Sequence, residues 1–512
     1  MSEAVRAPAT FEFARGAFLR VVGALYVVAF AALYDQAPGL IGSRGLLPLP
    51  ERLARLTELF GDGRILRAPT AFWCAASDGA IAAVAGVGVA AGCALLCGVL
   101  PRVAAVVAWA AFLSFAALEN GSCDPTFFDW PFDLLTLEVG FLAPFLASGG
   151  LRPRDAAATP VNRIARGLLV CVLFRLMFGS ALLKLSLGQE AWRSGDAVRH
   201  FVLTCPSPTG WAAAVHRAPP AVSVAATYAA LATELATPFF YFGPRRARHV
   251  AAAVGVAFMA AIAAVANFRG LNVMTSALLL LLVDDAAWRG LAARRRRRAV
   301  AAEPPAPPVV RSDGLWRAVL FVPVAVTLLV AGANRVADQA TGRFPLERTL
   351  PGPVARLAGD FRLVARYDLF GLVAAERPVV VVEGSADGKT WLAYEPRSIP
   401  ARVDRPPARI APSTSYLDFL LWGAPFGPLE DRLRWLGPLA RRLLEGAPDV
   451  RRLFAVDPFP DDPPRYVRAT LWRYAYADAE GRARGDHWRR EAAGVYAPAV
   501  ILRDGALVLA GG

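Results

Sequence analysis

"FRLMFGSALLKLSLGQEAW", residues 174–192, reads as a membrane helix almost to its end, and near that end stands Lys184. The chain holds 56 Lys plus Arg, yet only Lys184 and Lys389 are lysines. Arginine snorkels to a headgroup as well as lysine does. What lysine adds is an amine that burial can pull toward neutrality, usable as a base or nucleophile. Two readings stay open: an anchor reaching the outer headgroups, or a desolvated amine beside an acidic partner.

Outward from this stretch the pattern repeats. Apolar runs of span length, or nearly so, lie at about 17–37, 79–99, 103–118, 132–149, 166–187, 221–241, 248–266, 270–285 and 316–333, which predicts about nine membrane helices. A mean hydropathy of +0.40 agrees with several spans. With the N-terminus in the cytoplasm, Arg102, the arginines at 152–166, "PRRAR" (244–248) and "RRRRR" (294–298) all fall inside. The acidic "ENGSCDPTFFDWP" (119–131) falls outside, as the positive-inside rule requires. The first outer loop, with Arg44, Arg52, Arg55, Arg64 and Arg67, is the exception. The net charge of +14 is then lipid-facing rather than nucleic-acid-binding, since no nucleic-acid motif accompanies it.

The expected division is a transmembrane bundle over 1–298, a Pro-rich cytoplasmic linker over 299–315, a last helix over 316–333 and a soluble extracytoplasmic region over 340–512. In that last region "VVVVEGSADGKTWLAYE" (379–395) reads as strand, Asp387-Gly388 turn, strand. "PPRYVRATLWRYAYA" (463–477) reads as an aromatic-rich strand, and 427–455 as two amphipathic helices. A β-rich, sandwich-like domain with a helical insert is expected.

The candidate catalytic set is Lys184 with Glu138 or Asp133, which lie in "DLLTLEVG" near the outer end of an inward-running helix. Glu234 is an intramembrane carboxylate, hence a site or half of an ion pair. The candidate binding residues are Glu234 with Trp192, His200 and Trp211 of the outer connection, Asn267 and Asn272 of "ANFRGLN", and Trp391, Tyr466 and Trp472 of the C-terminal strands. His200 and His216 have no third ligand spaced to help them, so no metal is expected; no cofactor motif is present either. Cys123 and Cys205 both fall in outer loops, where an oxidising compartment permits a disulfide.

Several segments in one order resemble the lipase maturation factor family: "FLRVVGALYVVAFAALYDQAPGLIGSRGLLPL" (18–49), "WPFDLLTLEVGFLAPF" (130–145), the opening stretch followed by "HFVLTCPSPTGW" (200–211), "YDLFGLVAAERPVVVVEGSADGKTWLAYE" (367–395) and "HWRREAAGVYAPAV" (487–500). Where the family usually has glutamine, this chain has Cys205, and the usual arginine before Leu417 is missing. The resemblance implies a polytopic membrane protein that helps exported lipases reach their active fold, with the C-terminal part meeting the client. It implies the endoplasmic reticulum membrane in animals; the composition, Arg- and Ala-rich, suggests a bacterial cytoplasmic membrane. A shorter likeness, "FGSALLKLSLGQEAWRSG", is to the vitamin-K-dependent carboxylase superfamily, and implies an alternative: an integral-membrane enzyme with Lys184 as general base on a lipid-soluble or peptide substrate.

Overall fold

The computed structural model describes residues 9–121, 127–152, 158–268, 270–296, 315–343, 345–407, 410–411, 413, 415–427 and 429–510. Most of the Pro-rich linker, and Cys123, whose pairing with Cys205 an oxidising compartment would permit, lie outside these residues.

Each of the nine apolar runs is helical. The elements are α1 (Glu12–Ile41), α2 (Asp78–Leu96), α3 (Pro101–Ala116), α4 (Pro131–Leu146), α5 (Pro160–Ser186), then two short helices α6 (Ala197–Thr204) and α7 (Gly210–Arg217), and α8 (Pro220–Phe240), α9 (Arg245–Val265), α10 (Leu271–Leu280), α11 (Asp285–Arg296) and α12 (Leu315–Thr341). The expected count of nine spans is not reproduced by length and apolarity. Among the described residues six helices are long and apolar enough to cross a membrane: α1, α2, α3, α5, α9 and α12. A seventh follows if α10 and α11, bent by 97° at their junction, form one broken span. The shortfall has a physical cause. At 16 residues α4 reaches about 24 Å, short of a hydrocarbon core of about 30 Å. The 21-residue α8 carries Ser223, Thr227, Thr233, Glu234 and Thr237 among its apolar residues.

Local sequence sets the helix starts. Thr159-Pro160 opens α5 with a reciprocal cap: Asn162 N donates to Thr159 Oγ1 at 3.3 Å, and Thr159 N to Asn162 Oδ1 at 3.0 Å. Proline at the first position and Asp133 at the third open α4, with Trp130 N donating to Asp133 Oδ2 at 3.2 Å. Small residues let helices touch: a Cβ on Gly23 of α1 would stand 2.5 Å from Leu96 N and 2.8 Å from Gly92 O of α2.

The C-terminal region corrects the sandwich. Among the described residues it holds one five-stranded antiparallel sheet, ordered β2-β1-β3-β4-β5, with β1 (Arg377–Ser385), β2 (Leu392–Ala393), β3 (Tyr466–Tyr476), β4 (Trp488–Arg503) and β5 (Ala506–Leu509). Among the described residues no second sheet packs on it. Its cover is helical, from α13 (Tyr416–Gly423) and α14 (Leu429–Leu444), so "VVVV" of β1 is buried without a facing sheet. The Asp387-Gly388 turn forms as read, with Gly388 at φ +74° and Asp387 Oδ1 accepting from Lys389 N and Thr390 N, each at 2.8 Å. Asp387 is held at about 2, below the usual carboxylate range, by the backbone N–H of Thr390 first and that of Lys389 second.

One hydrophobic cluster runs through both regions, from Phe18 and Leu135 in the bundle to Val381 and Leu439 beyond it. Polar clamps reinforce the seam. The buried Arg377 guanidinium donates to the carbonyls of Leu203 (2.8 Å), Cys205 (2.7 Å) and Pro206 (3.2 Å). Trp422 Nε1 donates to Thr204 O at 2.8 Å, and Tyr416 N to Gln36 Oε1 at 2.9 Å.

Candidate functional site

Two buried ion pairs hang from α5. Arg175 and Lys184 are nine positions apart, which at roughly 100° per residue puts them on opposite faces of the helix.

Arg175 faces α4. Its guanidinium binds Glu138 Oε1, and its Nη1 donates to Ala365 O at 3.0 Å. Glu138 Oε2 accepts from Tyr367 Oη at 2.6 Å and from Ala365 N at 3.1 Å. The carboxylate is thus fully engaged, and it clasps α4, α5 and the segment entering the C-terminal region. Asp133 serves the start of α4 and lies 3.5 Å from Tyr416 Oη.

Lys184 faces α8, and here the expected partner changes. The carboxylate against Lys184 is Glu234, not Glu138 or Asp133: Nζ donates to Oε1 at 2.6 Å and also to Oε2. The ring of Trp192 lies beneath the ammonium, 5.0 Å from centroid to Nζ. The pair borders a cavity of about 750 Å³ between α5, α6, α7, α8, α9 and α10, within the range of small-molecule sites. Trp192, Trp211 and Asn272 line it too, so five residues singled out in the sequence converge there. Lys184 and Glu234 are the ionisable side chains among the lining residues; the rest are apolar but for Ser180, Thr233, Asn272 and Thr275 beside the two tryptophans.

The other expected residues lie elsewhere. Asn267 is a connector, donating to Ser207 O and accepting from Ala411 N at 3.3 Å each. The backbone carbonyl of His200 accepts from Thr204 Oγ1 at 2.9 Å, and its ring does not line the cavity. Trp391, Tyr466 and Trp472 are on the sheet, where Arg468 stacks on Trp391 at 4.0 Å and Arg490 on Trp472 at 4.2 Å. They form no common site with Lys184. Among the described residues no three His, Cys, Asp or Glu gather to hold a metal ion.

Sequence reading missed Arg175, Tyr367 and Phe370. An arginine in mid-helix inside the opening stretch was the available signal for the first. Phe370 has φ +51°, an uncommon conformation for an aromatic residue, and lines both this cavity and a second one of about 600 Å³ under Trp130 and Trp422.

A helical bundle with several candidate spans, bound along one seam to a small antiparallel sheet, defines an integral membrane protein with a substantial C-terminal region. The family model described as the lipase maturation factor transmembrane domain matches residues 13–290, and that of the lipase maturation factor C-terminal domain matches 363–498. The chain belongs to the lipase maturation factor family. It is 30% identical to human lipase maturation factor 2, covering 96% of this chain and 83% of the relative. It is 28% identical to mouse lipase maturation factor 1 over 97% of this chain and 88% of the relative, and 29% identical to the bovine protein over 97% and 90%. No solved structure matches it.

Proposed function

We propose that this chain is a membrane-embedded maturation factor for exported lipases, meeting its client through the C-terminal region. Relatives along nearly its whole length carry that name. The observation that carries the geometric part is the open edge of β4. That strand pairs with β3 between residues 488 and 500, with bulges along the way, and with β5 only at residues 500–503. Among the described residues no strand pairs with its outer edge between residues 489 and 498. Val495 there is 72% exposed. A strand edge with no neighbouring strand is a template for an extended segment of an incompletely folded client, here over residues 489–495, before Tyr496 Oη donates to Ala424 O at 2.9 Å. Pro498, the positive-φ Gly494 and the flanking Arg489 and Arg490 discourage indiscriminate pairing.

We further propose nine membrane passes, with the N-terminus in the cytoplasm and the C-terminal region outside. The contacts of the C-terminal region support this sidedness. They reach the connections read as outer: Arg442 to Gly45 O (2.9 Å), Arg67 to Asp360 (2.6 Å), Arg362 to Asp129 (2.9 Å) and Val373 to Gln189 (2.8 Å). The connections read as inner meet one another: Glu12 N to Asp285 (2.9 Å), Leu100 N to Leu151 O (2.8 Å), Arg166 to Leu281 O (2.9 Å) and Arg245 to Asp284 (2.6 Å). The alternation brings the short α4 and the polar α8 across as well. The membrane is the bacterial cytoplasmic membrane, or that of the endoplasmic reticulum in a eukaryotic host.

The test is co-expression of the tagged full chain with an exported lipase from its own host, scoring lipase recovered with the chain and lipase activity outside the cell. Val495→Asp should lower both at least about tenfold with unchanged membrane abundance, since a charge on the edge opposes strand addition. Undiminished recovery by Val495→Asp removes β4 as the contact. Undiminished lipase activity without the chain removes the maturation role.

A further inference from the structure

The cavity beside Lys184 and Glu234 is not explained by client contact, which the proposal above assigns to the sheet. We propose that it is a binding site for a neutral lipid carrying an ester or hydroxyl head, of the acylglycerol class.

Three observations lead there. First, the mouth is apolar. Trp211, Val222 and Val254 border the cavity and are 64%, 47% and 39% exposed. On a bundle read as membrane-embedded, such a rim admits molecules from the hydrocarbon rather than from water. Apolar walls from α8 and α9, such as Ala230 and Phe258, suit acyl chains.

Second, the polar end has donors left over once Glu234 is paired with Lys184. An ammonium has three N–H groups, and Glu234 takes two from Lys184. The indole N–H of Trp192, a residue 5% exposed, is buried and has no partner among the described residues. The third N–H of Lys184 is left over beside it, and an unmet buried donor costs about 1–3 kcal/mol, which an acceptor in the cavity would offset. Ammonium and indole donate and do not accept. The complement is therefore a carbonyl, ester or hydroxyl oxygen.

Third, the charge balances. Lys184 and Glu234 cancel, and no other ionisable side chain lines the cavity among the described residues. A phosphate or carboxylate head would enter with its charge uncompensated and lose its hydration. A neutral oxygen head does not.

The experiment uses the full chain in nanodiscs of phosphatidylcholine, with a photoreactive monoacylglycerol as probe and unlabelled monoolein, oleate and phosphatidylglycerol as competitors. Saturable labelling of peptides from α5, α8 or α9 is expected, with monoolein competing at least about tenfold better than either anionic lipid. Trp192→Phe keeps the ring under the ammonium but loses the N–H, and should weaken labelling about tenfold. Ala230→Trp fills the cavity from another wall and should abolish labelling whatever Trp192→Phe does to folding. Equal competition by all lipids, or labelling unchanged in Ala230→Trp, would mean annular lipid only and overturn the proposal. Stronger competition by oleate or phosphatidylglycerol overturns the neutral head. Lipase capture through β4 should survive both variants, so loss of labelling with capture intact separates this site from the client surface.

Discussion

The two faces of α5 carry the same chemistry to different ends. On one, Arg175 and Glu138 are closed in by Ala365 and Tyr367, and every group named there has a partner. On the other, Lys184 and Glu234 form a bare pair at the edge of an apolar cavity, beside an indole that has no acceptor. A buried ion pair is weak support for stability in itself, because desolvation offsets the attraction. What separates the two is the surrounding satisfaction. The first is a clasp between the bundle and the C-terminal region; the second leaves donors unmet at the edge of a cavity, as the proposed lipid site requires.

That contrast can be broken by substitution. Arg175→Met leaves Glu138 charged and enclosed, and should cost about 3–5 kcal/mol, read as thermal unfolding in one detergent. Lys184→Met strands Glu234 beside open space, where water or a lipid head can reach it. The expected cost is smaller, about 1–3 kcal/mol. Equal losses would erase the distinction between the two faces.

Paired substitutions sharpen it. Glu138→Leu with Arg175→Met removes both charges but orphans Tyr367 Oη and Ala365 N, so about 1–3 kcal/mol of loss should remain. Lys184→Met with Glu234→Leu orphans nothing else that either side chain is seen to bind, and stability should return to within about 1 kcal/mol of the unmodified chain. Lipid labelling should nevertheless be lost, dissociating the role of this pair from stability.

The smallest effect lies far from both pairs. Asp387 is depressed to about 2 in the folded turn, against an ordinary value of about 3.9. Its contribution is therefore present above the ordinary value and lost as the pH falls through about 2. Fluorescence of the nearby Trp391 should change over that acid window, and Asp387→Asn should abolish the change.

How far the sequence reached can be judged from single residues. The nine helical runs, the Asp387-Gly388 turn and the strand at 466–476 were legible, because period and turn chemistry are local. Lys184 was legible as unusual from arginine usage alone, and Glu234 from its depth in an apolar run. Their pairing was not, since nothing in the order of residues relates α5 to α8. The same limit assigned Glu138 to Lys184: the two carboxylates differ in which face of α5 their helix meets, and only packing decides that. Tyr367 carried no signal, because its hydroxyl becomes important only when 229 positions of chain bring it to Glu138.

By itself, then, the sequence determined a membrane-helical chain with a strand-forming C-terminal part, since hydropathy, arginine placement and turn residues act over a few residues at a time. The tertiary structure decided which charges meet, that one sheet covered by helices takes the place of two facing sheets, and that a cavity opens beside Lys184. Those outcomes depend on helix rotation and on contacts between segments hundreds of residues apart, where side-chain satisfaction and close packing choose among faces that hydropathy leaves equivalent.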